Sequence, residues 1–170
     1  MTAPDAVTRP SRRSGVPGRR PGTAATFRVV ARRRQSDYID FLSRVPLFSQ
    51  CTKTELKALA RRTNDIRAEA GQVLVKEGQG SYDFFVVVDG RAKVTRNGRK
   101  VAEIGPGSFF GELGLLNRAL RDATVTATTA MEIIVLPQWE FEQALTEAPR
   151  MTRNLMAGMA RRLRELDKRS

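Results

Sequence analysis

The chain has 170 residues, 41% hydrophobic and 28% charged, which suits one domain with a tail and excludes a wholly disordered chain or two ordinary domains. With no His and one Cys, it is excluded from His-based triads, His-ligated metal sites and an internal disulfide. The net charge of +12 directs attention to anionic partners, and no apolar run approaches the length of a membrane span.

The charge is concentrated at the two ends. Residues 1–34 carry a net +8 and residues 150–170 a net +5, while 35–149 are close to neutral. Pro4, Pro10, Pro17 and Pro21 alternate with Gly15, Gly18 and Gly22, so 1–34 is expected to be a disordered Arg-rich tail. Weak electrostatic contact with nucleic acid is one use of such a tail; a solvated tail with no specific partner is the other. No apolar segment follows Arg12-Arg13 or Arg19-Arg20, which argues against a secretory signal. The single Cys51 suits a reducing, cytoplasmic location and reads as a half-buried loop residue.

The domain is expected over 35–170. Ser36 is placed to cap a short helix carrying Tyr38, Ile39, Phe41 and Leu42, stopped by Pro46, with Phe48 as a core plug. Thr52 and Glu55 form a capping box, and a helix follows to about Arg62 with Leu56, Leu59 and Ala60 on one face. The period then changes to two. Val73 and Val75 alternate with polar neighbours and Leu74, and Phe84 to Val88 reads as a buried strand. Ala92, Val94 and Arg96 lead into Asn97-Gly98, a strong hairpin signal, with Val101 and Ile104 beyond. Ala123, Val125 and Ala127 alternate with threonines, and Met131 to Leu136 is apolar on both faces. Short strands at regular spacing indicate a sandwich, jelly roll or small barrel. Helices are expected over 138–168. Trp139 and Phe141 are expected in the core, Pro149 at a first helical turn, and Met151, Leu155, Met159 and Leu163 form an apolar stripe. That stripe serves as packing, a lid or a dimer seam, and Gly158 within it suggests close approach of a neighbouring backbone.

Residues 103–125 carry the chemistry. Gly105, Gly107, Gly111 and Gly114 surround one carboxylate, Glu112, and a short apolar turn from Leu113 to Leu116 follows. Glycine-dense backbone lets an anion approach exposed N–H groups. Arg121, nine residues on, offers the planar donor fork that matches phosphate. Arg118 reads as a surface charge. The spacing alone fits either a sugar-phosphate site or a turn beside a surface arginine.

The segment Phe110-Gly111-Glu112-Leu113-Gly114-Leu115-Leu116, followed by Arg121-Asp122-Ala123-Thr124-Val125, resembles the phosphate-binding cassette of cyclic-nucleotide-binding domains. Ala70-Gly71, Glu77-Gly78, Asp89-Gly90 and Gly105-Pro106-Gly107 are similar to the family's punctuation. Met159-Ala160-Arg161-Arg162-Leu163 is similar to the long helix of the catabolite-activator group. The resemblance implies a mainly β fold, an eight-stranded jelly roll with N-terminal helices and a C-terminal lid or dimer helix. It implies a ligand, cyclic AMP or cyclic GMP, held by Phe110, Gly111, Glu112, Leu113, Gly114, Arg121, Asp122 and Ala123, with no cofactor and no metal. Glu112 would accept from the ribose 2′-hydroxyl, Arg121 would pair with the phosphate, and N–H groups near Gly114 and Asp122 would complete the cradle.

Three departures from the family bear on ligand choice. Asp122 stands where a small or hydroxyl residue is usual. Two like charges about 5 Å apart repel by about 3 kcal/mol at an effective dielectric near 20, roughly two decades of affinity. The penalty shrinks if Asp122 faces water or pairs with Arg118, and its carboxylate is also suited to accepting from a guanine amino group. Leu166 and Asp167 stand where the catabolite-activator group contacts adenine. The chain ends at Ser170, before any helix-turn-helix. These readings lead to a non-enzymatic, stand-alone regulatory module that signals through its C-terminal helix to a protein partner or dimer mate. The alternative is a degenerate fold acting as an interaction module that no longer binds nucleotide.

Overall fold

The computed structural model describes residues 28–29, 34–80 and 82–168. Among them are two antiparallel sheets and five helices. The N-terminal helices are α1 (Gln35–Arg44) and α2 (Lys53–Arg62). The strands are β1 (Arg28–Val29), β2 (Asn64–Ala68), β3 (Val73–Val75), β4 (Asp83–Asp89), β5 (Ala92–Arg96), β6 (Arg99–Ile104), β7 (Phe109–Phe110), β8 (Thr124–Ala127) and β9 (Met131–Pro137). Between β7 and β8 lies the short α3 (Glu112–Leu116); α4 (Gln138–Glu147) and α5 (Pro149–Asp167) close the chain. One sheet runs β1-β2-β9-β4-β7 and the other β3-β8-β5-β6. The eight strands of the expected roll are β2 to β9, with β1 added at an edge. Most of the expected 1–34 tail lies outside the described residues; Arg28–Val29, inside it, pairs with β2.

The continuous apolar runs are explained by burial on both faces. In β4 and β9, Phe84, Val86, Ile134 and Leu136 face the helices, packing with Leu42, Leu59, Phe141, Met151 and Leu155. The alternate residues Phe85, Val87, Ile133 and Val135 face the second sheet, meeting Leu74, Ala92, Val125 and Ala127. The same alternation splits β7, with Phe109 on the helix side and Phe110 between the sheets. Side chains of a strand point alternately to its two faces, so one sheet supports two cores.

The capping box forms as expected: the Thr52 hydroxyl accepts from the Glu55 N–H (3.2 Å), and the Glu55 carboxylate accepts from the Thr52 N–H (2.6 Å). The hairpin also forms, with Asn97 and Gly98 at φ +50° and +74°. Four expectations are corrected. Ser36 is not a cap: Arg34 is the N-cap residue of α1, and the Ser36 hydroxyl donates to Asp37 (3.3 Å). In β3 the buried residue is Leu74, with Val73 exposed. Trp139 is 61% exposed, because it lies about 160° around α4 from the buried Phe141 at 100° per residue. In α5, Met151 and Leu155 are buried but Leu163 and Leu166 are exposed. A spacing of four drifts about 40° per step from the 3.6-residue period, so Leu163 has rotated about 120° from Met151.

Candidate functional site

The glycine-rich segment forms a turn, α3, which packs against β4, and a loop that runs into β8. Gly111 is the N-cap of α3 at φ +94°, a left-handed conformation that L side chains rarely adopt. A Cβ there would stand 2.6 Å from Arg121 Nη1 and 2.7 Å from the Asp83 carbonyl oxygen, so only glycine lets the arginine come this close. Glu112, the first residue of α3, is 2% exposed. Burial raises its pKa, and the Arg162 guanidinium opposes that rise.

Arg121 is also buried. Its Nη1 donates to the Gly111 carbonyl (3.1 Å), its Nη2 to the Asp83 carbonyl (2.7 Å), and its guanidinium lies 5.6 Å from the Phe85 ring centre. Its backbone is pinned by Gln79 and Gly78, its N–H donating to the Gln79 carbonyl and its carbonyl accepting from the Gly78 N–H (both 2.8 Å). Burial lowers the Arg121 pKa, opposed chiefly by Asp83. Burial conversely raises the Asp83 pKa, with Arg121 acting against it. Arg121 thus grips the carbonyl of the residue before Glu112.

The expected site residues divide into two groups. Gly111, Glu112, Gly114, Arg121, Asp122 and Ala123 lie on the turn, α3 and the loop into β8, with Gly114 buried inside α3. Phe110 and Leu113 form the second group. Phe110 stacks on Phe85 between the sheets (4.8 Å), and Leu113 is exposed. Asp122 does not pair with Arg118: Arg96 Nη2 donates to its carboxylate and Arg96 Nε to its carbonyl, each at 3.0 Å. Arg118 is exposed, as expected.

Sequence reasoning missed two residues, Arg96, which holds Asp122, and Arg162. Arg162 of α5 donates through Nη1 to the Glu112 carboxylate and through Nη2 to the Phe109 carbonyl (2.5 Å). Its guanidinium lies 4.5 Å from the centre of the Phe109 ring. Gly158 faces the same ring: a Cβ on it would meet Phe109 Cζ at 3.0 Å. The close neighbour expected at Gly158 is therefore an aromatic ring rather than backbone. The signal was available, since Arg162 falls only about 20° around the helix from Met151 and continues its buried face.

Residues 65–148 match the family model for the cyclic nucleotide-binding domain, and the chain belongs to that family. It is 35% identical over 126 residues to a cAMP-dependent protein kinase regulatory subunit of Yarrowia lipolytica, covering 71% of this chain and 34% of that protein. The chain spans about a third of the length of the curated relatives it matches. Its fold is similar to the Thermus thermophilus catabolite activator protein, with a TM-score of 0.67 and 28% identity over 73% of this chain and 61% of that one. It is similar too to a regulatory subunit of a cAMP-independent protein kinase A from Trypanosoma cruzi bound to guanosine. The TM-score there is 0.65 and the identity 28%, over 71% and 44% of the two chains. These kinase relatives are regulatory rather than catalytic subunits. Among the described residues no helix is long and apolar enough to cross a membrane.

Proposed function

We propose that this chain is a regulatory module that binds a cyclic nucleotide and reports its occupancy through α5. Glu112 accepts a hydrogen bond from the ribose 2′-hydroxyl. Arg121 pairs with the phosphate, its guanidinium oriented by the two carbonyls it already holds. The N–H groups of Gly114, Asp122 and Ala123 complete the anion cradle. The chain is not an enzyme in this reading: its work is binding and displacement.

The observation that carries the proposal is the hold of Arg162 on Glu112. The carboxylate suited to the ribose is the same carboxylate that tethers the last helix. A hydroxyl that takes over Glu112 weakens the tether and shifts the population of α5 positions. The exposed Met156, Leu163 and Leu166 give the helix an apolar outer surface for a protein partner or a second copy to read.

Titration calorimetry with cyclic AMP and cyclic GMP, with Arg121→Ala as control, tests the reading. Micromolar or tighter binding that is lost in the variant is expected. Absence of binding by both nucleotides would refute it and favour an interaction module, a reading that the same outer surface of α5 supports. Light scattering with and without residues 150–170 then tests self-association through α5.

A further inference from the structure

Asp122 puts a negative charge beside the arginine that this site offers to a phosphate. Burial is not what keeps that charge in check, since the side chain is 53% exposed. Its effect does reach the site: both Glu112 and Arg121 feel the Asp122 carboxylate. Left alone, such a carboxylate would oppose every anionic ligand.

It is not left alone. Arg96, the last residue of β5, reaches across to the loop entering β8 and holds Asp122 at two points. Nη2 takes the carboxylate and Nε takes the backbone carbonyl. The carbonyl bond matters separately from the charge. In a trans peptide the C=O and the following N–H point in opposite directions. A carbonyl drawn to Arg96 therefore turns the Ala123 N–H to the side away from Arg96. Two anchors now fix this stretch of chain. Gln79 and Gly78 hold the Arg121 backbone, and Arg96 holds the peptide after it. The Asn97-Gly98 turn fixes Arg96 in its own place at the end of the hairpin, and the Glu77 carboxylate accepts from the Asn97 N–H at 2.9 Å.

We propose that Arg96 is a positioning residue for anion binding: it neutralises Asp122 and orients the peptide that follows, so that a site carrying an acidic residue in its phosphate cradle still accepts a phosphate. This rests on the cyclic-nucleotide reading given above. It also makes the affinity depend on a residue 25 positions before Arg121, at the hairpin turn and outside the cassette.

The size of the effect follows from the charges. Full exposure of the Asp122 charge at about 5 Å corresponds to roughly two decades of affinity at an effective dielectric near 20. Half-exposure to solvent brings this to about tenfold.

The test is a double-mutant cycle on the full chain, read by calorimetry with cyclic AMP and cyclic GMP at 50 and 500 mM salt. Arg96→Gln is expected to weaken binding about tenfold at low salt and clearly less at high salt. Asp122→Asn removes the remaining repulsion of the phosphate and is expected to bind more tightly than the wild type. In the Asp122→Asn background, Arg96→Gln is expected to cost no more than about threefold, because the charge it guarded is gone. Arg96→Lys keeps the charge and gives up the fork, and is expected to lie between the wild type and Arg96→Gln. Thermal unfolding of each variant accompanies the titrations.

A loss that is equal in both backgrounds overturns the proposal, since Arg96 would then act on the ligand or the fold directly. So does an Arg96→Gln variant that binds like the wild type. If the wild type itself binds neither nucleotide, the cyclic-nucleotide reading fails and the inference fails with it. That outcome is distinct from a wild type that binds and an Arg96 variant that does not differ.

Discussion

Replacing Arg162 by Ala separates the tether from the fold. Glu112 is 2% exposed and Arg162 43% exposed, so the pair is one buried charge held by one half-solvated charge. At about 4 Å and an effective dielectric near 20 the attraction is about 4 kcal/mol. Solvent at the arginine removes about half of it, leaving about 2 kcal/mol. The lost guanidinium stacking on Phe109 adds roughly 0.5–1 kcal/mol. A total of about 2–3 kcal/mol lowers Tm by roughly 5–10 °C in a domain of this size.

The pH dependence has a fixed sign. Burial raises the Glu112 pKa above its ordinary 4.5, and Arg162 pulls it back. A raised carboxyl pKa contributes stability below the unfolded value and loses it as pH rises through the folded value. Without Arg162 the folded value rises further and more stability is lost. The gap between wild type and variant is therefore small near pH 4 and opens as pH rises above 4.5. Differential scanning calorimetry from pH 4 to 8 measures it. Under the proposed function the variant also removes the competitor for Glu112. Its nucleotide affinity is expected to rise by about 10–30-fold, the equivalent of about 2 kcal/mol. Hydrogen exchange in residues 158–167 is expected to be fast in the variant and indifferent to nucleotide. An unchanged Tm across the whole pH range would refute the energetics. An affinity that falls instead of rising would show that Arg162 assists the ligand and does not compete with it.

Gly111→Ala is expected to lose about 2–3 kcal/mol in chemical denaturation and to abolish nucleotide binding, because it combines a φ of +94° with a Cβ 2.7 Å from a backbone carbonyl that cannot retreat. Gly158→Ala gains about 1 kcal/mol of helix propensity but drives a Cβ to 3.0 Å from Phe109, whose ring lies near Phe84 (5.8 Å) and the Arg162 guanidinium (4.5 Å). Its net stability is expected to stay within about 1 kcal/mol of the wild type while hydrogen-exchange protection of the C-terminal half of α5 falls. Protection equal to the wild type would count against the ring contact as the element that seats α5.

The legible parts of this protein were those governed by local chemistry. Thr52 and Glu55 form their capping box because every atom involved lies within one helical turn. Asn97-Gly98 turns the chain because both residues tolerate positive φ. The apolar runs at Phe84–Val88 and Met131–Leu136 announced burial on both faces, although not that one face would meet helices and the other a second sheet. Glu112 and Arg121 were visible as a pair through the resemblance to the phosphate-binding cassette; the glycines and the spacing alone left a turn beside a surface arginine open. Arg96 was not visible, because its partner lies 26 residues away across the sheet and a strand-end arginine beside a turn reads as solvated charge.

Arg162 and Leu163 show how finely the remainder depends on period. Counting α5 by fours put Met151, Leu155, Met159 and Leu163 on one line and left Arg162 off it. Counting by 3.6 puts Met151, Leu155, Gly158 and Arg162 on that line, because steps of three and four must alternate to stay on one face. Burial follows the second count: Met151, Leu155 and Gly158 are buried, and Leu163 is exposed. The line ends in a charge instead of a fourth apolar residue, and the charge meets a buried carboxylate. An apolar residue at 162 would seat the helix on Phe109 and leave Glu112 without its ion-pair partner. An arginine there seats the helix on Phe109 and ties it to Glu112 as well, so under the proposed function the position of α5 answers to whatever else bonds that carboxylate.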